Sequence, residues 1–182
     1  KIAVWPQQTV RAIQLLMRLA VNETATNSNN ATGTVCSFFR IGLEAAATEA
    51  SPAERLPALL PLLRSTSDKD RALGLSCLGA ALDTRGLGYR IVGPEFQGLK
   101  PRAKLWIPKT YGDWWDAHYL YFKTLVEETV RWPDHSRPQV CSALLSAVEQ
   151  QIKIKPCTQL AFDILGALVS DPCMEPSELN KF

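Results

Sequence analysis

Asp113, Asp116 and His118 fall within six residues of one another. Two carboxylates and an imidazole are a donor set that can meet a divalent metal. The spacing favours a plainer use. Asp113 and Asp116 stand three apart, as an N-cap and a first-turn acid do when they complement a helix dipole. Asp113 is therefore expected to cap a helix, and His118 to lie on or just under its surface beside Trp114 and Trp115. The only other histidine is His135, in a Pro-Asp-His-Ser turn where polar residues are ordinary. A Ser–His or Cys–His nucleophile would need one of the two near a suitable partner, and nothing local supports that. Gly86-Leu87-Gly88 follows no strand and opens no helix, so it is not a dinucleotide fingerprint, and no phosphate-binding loop is present. The expectation is a chain with no catalytic residue, no metal and no cofactor.

Five cysteines occur, Cys36, Cys77, Cys141, Cys157 and Cys173, with no Cys-x-x-Cys pair. Most sit among aliphatic residues within helical patterns and read as buried, reduced thiols of a cytoplasmic protein. The 16-residue steps from Cys141 to Cys157 to Cys173 suggest a disulfide or metal, but no histidine accompanies them. No run of about 18 apolar residues exists, which argues against a membrane span. The formal charge of +2 over 182 residues supplies no global field toward nucleic acid or anionic lipid.

The strongest local signal is basic and aromatic. Between Thr84 and Thr110 the side chains Arg85, Arg90, Lys100, Arg102, Lys104 and Lys109 face one acid, Glu95, a local net charge of +5. Tyr89, Phe96 and Trp106 are interleaved with them, and Tyr111, Trp114 and Trp115 follow. Cations among stacking faces suit an acidic protein segment, or phosphates and bases. The structural alternative is that the aromatics anchor the segment to the core while the charges keep its outer side solvated. Arg90, Arg102, Lys104, Trp106, Lys109, Trp114 and Trp115 are the candidate partner-binding residues. Adjacent helical residues diverge by about 100°, so one of Trp114 and Trp115 is expected to remain available to a ligand.

Helices must position these groups. Residues 7–21 place Val10, Ile13, Leu16, Met17 and Ala20 on one face, with Pro6 at the start. Residues 22–34 are polar and rich in Asn and Thr, and read as a loop; 35–48 resume as helix. Residues 55–63 carry Leu56, Leu59, Leu60 and Leu63 at helical spacing, and Ser65 to Asp68 supply caps for a second helix ending at Leu82. Residues 83–111 hold four glycines and three prolines without helical period, yet their apolar residues need burial. That makes an ordered crossover rather than a linker. Beyond it, 113–131 set Trp115, Tyr119, Phe122 and Val126 on one stripe. A final hairpin follows at 138–151 and 156–170.

Residues 55–82, with a proline in the first helix (Pro57 or Pro61), an aspartate near the turn (Asp68 or Asp70), Arg71 early in the second helix and the small-residue ending Leu78-Gly79-Ala80-Ala81-Leu82, resemble a HEAT repeat. A weaker likeness lies at 140–169, which lacks the arginine. The resemblance implies an all-α solenoid of stacked antiparallel hairpins with a right-handed curve, and a scaffold or recognition role. The hairpins are 7–48, 52–82, and 113–131 with 138–170, interrupted by the 83–111 crossover.

The chain opens in mid-pattern at Lys1, which suggests a piece of a larger protein. The expected function is non-enzymatic recognition of a protein partner, one with acidic character, through the concave face and the crossover. Two alternatives stay open. The run Tyr89-Arg90, Gly93-Pro94-Glu95-Phe96, Leu105 to Thr110 and Trp114-Trp115 is similar to C-terminal sensor regions of large bacterial signalling ATPases. A nucleic-acid-binding helical repeat would instead use the basic crossover.

Overall fold

The computed structural model describes residues 2–24, 30–42, 47–84 and 103–172. Among these the chain forms seven α-helices and no strand: α1 (Pro6–Ala20), α2 (Ala31–Ser37), α3 (Pro52–Leu63), α4 (Asp68–Leu82), α5 (Tyr111–Thr129), α6 (Arg137–Gln151) and α7 (Thr158–Val169). Short 3₁₀ turns precede α1, α6 and α7. Contacts run α1 to α2 and α3, α2 to α4, α3 to α4 and α5, α4 to α5 and α6, α5 to α6, and α6 to α7. Helices α4 and α5 therefore lie at the centre of the packing.

Local chemistry fixes most helix starts. Ser51 and Glu54 form a reciprocal capping box at α3, each side chain bonding the other's backbone N–H. The Ser67 hydroxyl accepts the Asp70 N–H at the start of α4. Pro57 and Pro61 lie inside α3, where each removes one helical donor, and both occupy its exposed face. The carbonyls they leave unpartnered thus point toward water, which lowers the cost of an interior proline.

One continuous core runs from Ile13 and Met17 of α1 through Leu59 and Leu63 of α3, Leu73, Cys77 and Leu78 of α4, and Tyr121 and Phe122 of α5, to Ile164 and Leu168 of α7. Each fully buried Leu or Phe contributes about 2 kcal/mol of transfer free energy. Gly74 sets the α3–α4 approach: a Cβ there would meet Leu63 Cδ2 at 2.7 Å.

Three expectations are corrected. The helix expected over 35–48 is instead α2, which begins at Ala31, inside the expected loop, and ends at Ser37. Gly42 then adopts φ 132°, a conformation side chains disfavour. Helix α5 begins at Tyr111 with Thr110 as its N-cap; Asp113 is the third helical residue, closing a capping box. The buried stripe of α5 is Ala117, His118, Tyr121, Phe122, Leu125 and Thr129, while Tyr119 is 37% exposed. That stripe is rotated from the expected one because α5 must pack against α3, α4 and α6 together. No helix among the described residues is long and apolar enough to cross a membrane.

Candidate functional site

The described end of the crossover, residues 103–110, runs without regular secondary structure across the connection between α2 and α3. Backbone bonds place it there. The Trp106 N–H donates to the Thr48 carbonyl at 2.8 Å, and the Lys104 N–H donates to the Glu49 carboxylate at 2.6 Å. Glu49 is itself tied down, its N–H donating to the Val4 carbonyl at 2.9 Å.

Between this strap and the first turns of α3 and α5 lies an open cleft of about 570 Å³. Leu105, Trp106 and Ile107 line it together with Pro52 and Leu120. Its charged lining is mixed: Lys104 and Lys109 against Glu49, Asp113 and Asp116. The described lining thus carries both signs of charge. Two of the acids are committed to backbone donors. Asp113 accepts the N–H groups of Lys109 and Thr110 at 2.9 and 3.0 Å. Those bonds hold its carboxyl below the usual carboxylate range. Both lysine side chains remain exposed on the rim.

Trp106 is half-buried and covers the Arg55 guanidinium, whose central carbon lies 5.9 Å from the ring centroid. Arg55 is only 2% exposed and donates to the Phe38 carbonyl from Nη1 and to the Ser51 carbonyl from Nε. Burial lowers its pKa, offset in part by Tyr121 and Glu54. A cation–π contact in a desolvated place is worth more than at a surface, about 2 kcal/mol. No local pattern announces that Arg55 turns inward.

Trp114 and Trp115 both pack against the core and do not line this cleft. Trp114 lies against His118 with the rings tilted at 58° and their centroids 4.2 Å apart. Trp115 pairs with Tyr111 at 6.2 Å, and Tyr111 is 79% exposed. The structure therefore brings together Lys104, Trp106 and Lys109, and sets Trp114 and Trp115 on another part of α5. Arg90 and Arg102 lie outside the described residues, as do Arg85 and Lys100.

His118 is buried at 1% exposure rather than near the surface. Its Nδ1 lies 3.0 Å from Oε1 of Gln151, whose amide N–H donates to the Leu82 carbonyl at 2.7 Å. Since the amide is committed as donor to Leu82, its oxygen faces the imidazole, and His118 donates from Nδ1. Burial lowers its pKa to about 4, against the opposing hydrogen bond to Gln151.

A second polar constellation joins the α3–α4 turn to the end of α5. Arg71 is 5% exposed and donates to the Ser65 carbonyl and to the Asp68 carboxylate. Its guanidinium stacks on Trp132 at 5.4 Å, and the Trp132 indole N–H donates to the Leu63 carbonyl at 2.8 Å. Nearby, Arg64 grips Glu128 through two nitrogens at 2.5 to 3.1 Å. These cations are used in tying turns together. Among the described residues, no group of three or more His, Cys, Asp or Glu side chains is placed to hold a metal. No protein-family model, curated protein or solved structure matches the chain.

Proposed function

We propose that this chain is a non-enzymatic recognition or scaffold module, built as a HEAT-like solenoid, that takes a protein segment into the cleft beside the 103–110 strap. Support for the repeat comes from the order of helix contacts: α1, α3 and α5 pack in succession, as do α2, α4 and α6, while α1–α2, α3–α4 and α5–α6 pair. That is the neighbour-only pattern of stacked hairpins. The Asp68–Arg71 pair at the α3–α4 turn agrees with the features that resemble a HEAT repeat.

The observation that carries the binding reading is the cleft itself. Leu105, Trp106 and Ile107 give it an apolar side, and Ile107 is 41% exposed although it is large and aliphatic. Exposed Lys104 and Lys109 flank that surface. An apolar anchor beside two cations suits a peptide carrying an aliphatic or aromatic side chain next to carboxylates. Nucleic acid fits less well, because Glu49, Asp113 and Asp116 share the lining. Burial of Cys77, Cys141 and Cys157, as small apolar side chains of the packing, suits a cytoplasmic protein.

The experiment is capture from native lysate by wild type and by Ile107→Glu, a substitution at an exposed position that should leave the melting temperature unchanged. A protein held by wild type and lost by the variant is expected, with its affinity then falling in Lys104→Glu/Lys109→Glu. Equal retention by both would remove the cleft as the binding surface. Capture of nucleic acid with a steep salt dependence would replace the protein partner.

A further inference from the structure

Cys36 on α2 and Cys77 on α4 are 41 residues apart in sequence, and their sulfurs lie 3.8 Å apart. Helices α2 and α4 pack directly on each other, so the approach belongs to the fold rather than to a loose loop. The two thiols differ in access. Cys77 is 0% exposed, while Cys36 is only half-buried. A disulfide needs its sulfurs about 2.0 Å apart, so closure asks for a movement of less than about 2 Å, within reach of side-chain rotation and a small shift of α2.

We propose that Cys36 and Cys77 form a peroxide-sensitive thiol pair, in which the more accessible Cys36 is the thiol that peroxide oxidises and Cys77 the resolving thiol that closes an α2–α4 disulfide. This inference stands on the thiol geometry alone and does not depend on the cleft. In the first step the Cys36 thiolate attacks one oxygen of hydrogen peroxide. A sulfur–oxygen bond forms, the oxygen–oxygen bond breaks, and the departing hydroxide takes a proton to become water. In the second step the Cys77 sulfur attacks the Cys36 sulfenic acid. The sulfur–sulfur bond forms, the sulfur–oxygen bond breaks, and the Cys77 proton leaves with hydroxide as a second water. Two thiols lose two electrons and one peroxide gains them.

The electrostatics assign the roles the same way. The hydrogen bond from Cys77, and then the Arg40 charge, hold the Cys36 thiol below the usual cysteine value despite partial burial. The same hydrogen bond and full burial push Cys77 well above it. Low-pKa, accessible thiols react first with peroxide. Cys157 shows the contrast: it is buried and pushed up to about 11 by burial, so it should stay inert. Cross-linking α2 to α4 would restrict the unfolded chain over a long loop and fix a seven-residue helix on the core.

The test is treatment of the folded chain with hydrogen peroxide at neutral pH, alkylation of remaining thiols, digestion and mass spectrometry. A peptide pair joined through Cys36 and Cys77, two hydrogens lighter and released by dithiothreitol, is expected, with a melting temperature that rises on oxidation and returns on reduction. Cys77→Ala should instead leave a Cys36 sulfenic acid that dimedone traps. Cys36→Ser, at the less buried position, should abolish both the linked peptide and the rise in melting temperature, and it serves if Cys77→Ala does not fold. Linkage of Cys36 to Cys173, or oxidation of Cys141 or Cys157 before Cys36, would overturn the proposal, as would no linked product at all.

Discussion

The His118 imidazole and the Gln151 side chain meet inside the protein across 33 residues, Nδ1 to Oε1 at 3.0 Å, with Gln151 anchored in turn on the Leu82 carbonyl. This bond ties α5, α6 and the end of α4 together at one buried point. It also accepts only one protonation state comfortably, because a second proton on His118 would be a charge under the Trp114 ring with little water to solvate it.

Stability should therefore depend on pH in a defined window. The folded pKa of His118 is lowered to about 4, against 6.5 for the free group. The unfolded chain binds the proton first, so stability is full above about 6.5 and is lost as pH falls toward 4. A displacement of about 2.5 units corresponds to roughly 3 kcal/mol. Urea unfolding between pH 4 and 7 should show that slope in wild type. His118→Asn should flatten it while lowering the plateau; an unchanged slope would assign the effect to other groups.

Trp114 is one of the groups that keep water from His118, its ring centroid lying 4.2 Å from that of the imidazole. Trp114→Ala should cost about 3 kcal/mol through lost packing, and it should move the His118 pKa back toward 6.5 as water reaches the ring. Imidazole proton shifts followed by NMR titration read this directly. Trp115→Ala, on the Tyr111 side of the helix, should leave the His118 titration in place.

The two tryptophans also show what sequence could and could not give. The helical spacing of 113–131, the leucines of α3 and α4, and the caps between Ser65 and Asp68 are local patterns, and the helices they announce formed close to where they were expected. The separation of Trp114 from Trp115 on adjacent faces followed from helix geometry. Which side was inward did not, since it depends on α3, α4 and α6 converging on α5. Helix α2 was misplaced for a similar reason. Ala-Thr-Gly-Thr reads as loop, but the Glu23 carboxylate accepts the N–H groups of Ala31 and Thr32 at 3.0 and 2.9 Å, and Asn30 caps Gly33. An acid eight residues upstream starts the helix, and no local pattern announces it. In the cleft, Lys104, Trp106 and Lys109 were visible as residues, whereas the arrival of Glu49 beside them needed the Thr48–Trp106 backbone pairing.

Arg71 and Trp132 should be energetically coupled. The guanidinium stacks on the indole at 5.4 Å, and the indole N–H is spent on Leu63. Arg71→Ala should cost about 2 kcal/mol, from the stack and the bond to the Ser65 carbonyl. Trp132→Phe should cost about 1 kcal/mol, because it keeps the stacking face and loses one hydrogen bond. Chemical denaturation of Arg71→Ala, Trp132→Ala and the variant carrying both should give a coupling above about 0.5 kcal/mol. Additive losses would mean the stack contributes nothing.

The Arg64–Glu128 pair is asymmetric, and its two halves should not be equivalent. The Glu128 side chain is 8% exposed, whereas that of Arg64 is 55% exposed. Arg64 first, through its hydrogen bonds, holds the Glu128 carboxyl below its ordinary range, so Glu128 stays charged through neutral pH. Removing the arginine leaves a nearly buried carboxylate without its partner; removing the glutamate leaves an arginine that water can solvate. Arg64→Ala should consequently destabilise more than Glu128→Gln, even though the arginine is the more exposed residue. The linkage sign separates the causes. Glu128 stabilises when ionised, so its contribution fades as pH falls through its lowered folded pKa. In Arg64→Ala the carboxyl should titrate at higher pH and the excess loss should shrink on acidification, as the orphaned charge takes up a proton. Melting temperatures of both variants across pH 3 to 7 would decide it: parallel curves would mean that the pair is a surface contact of no consequence to the fold.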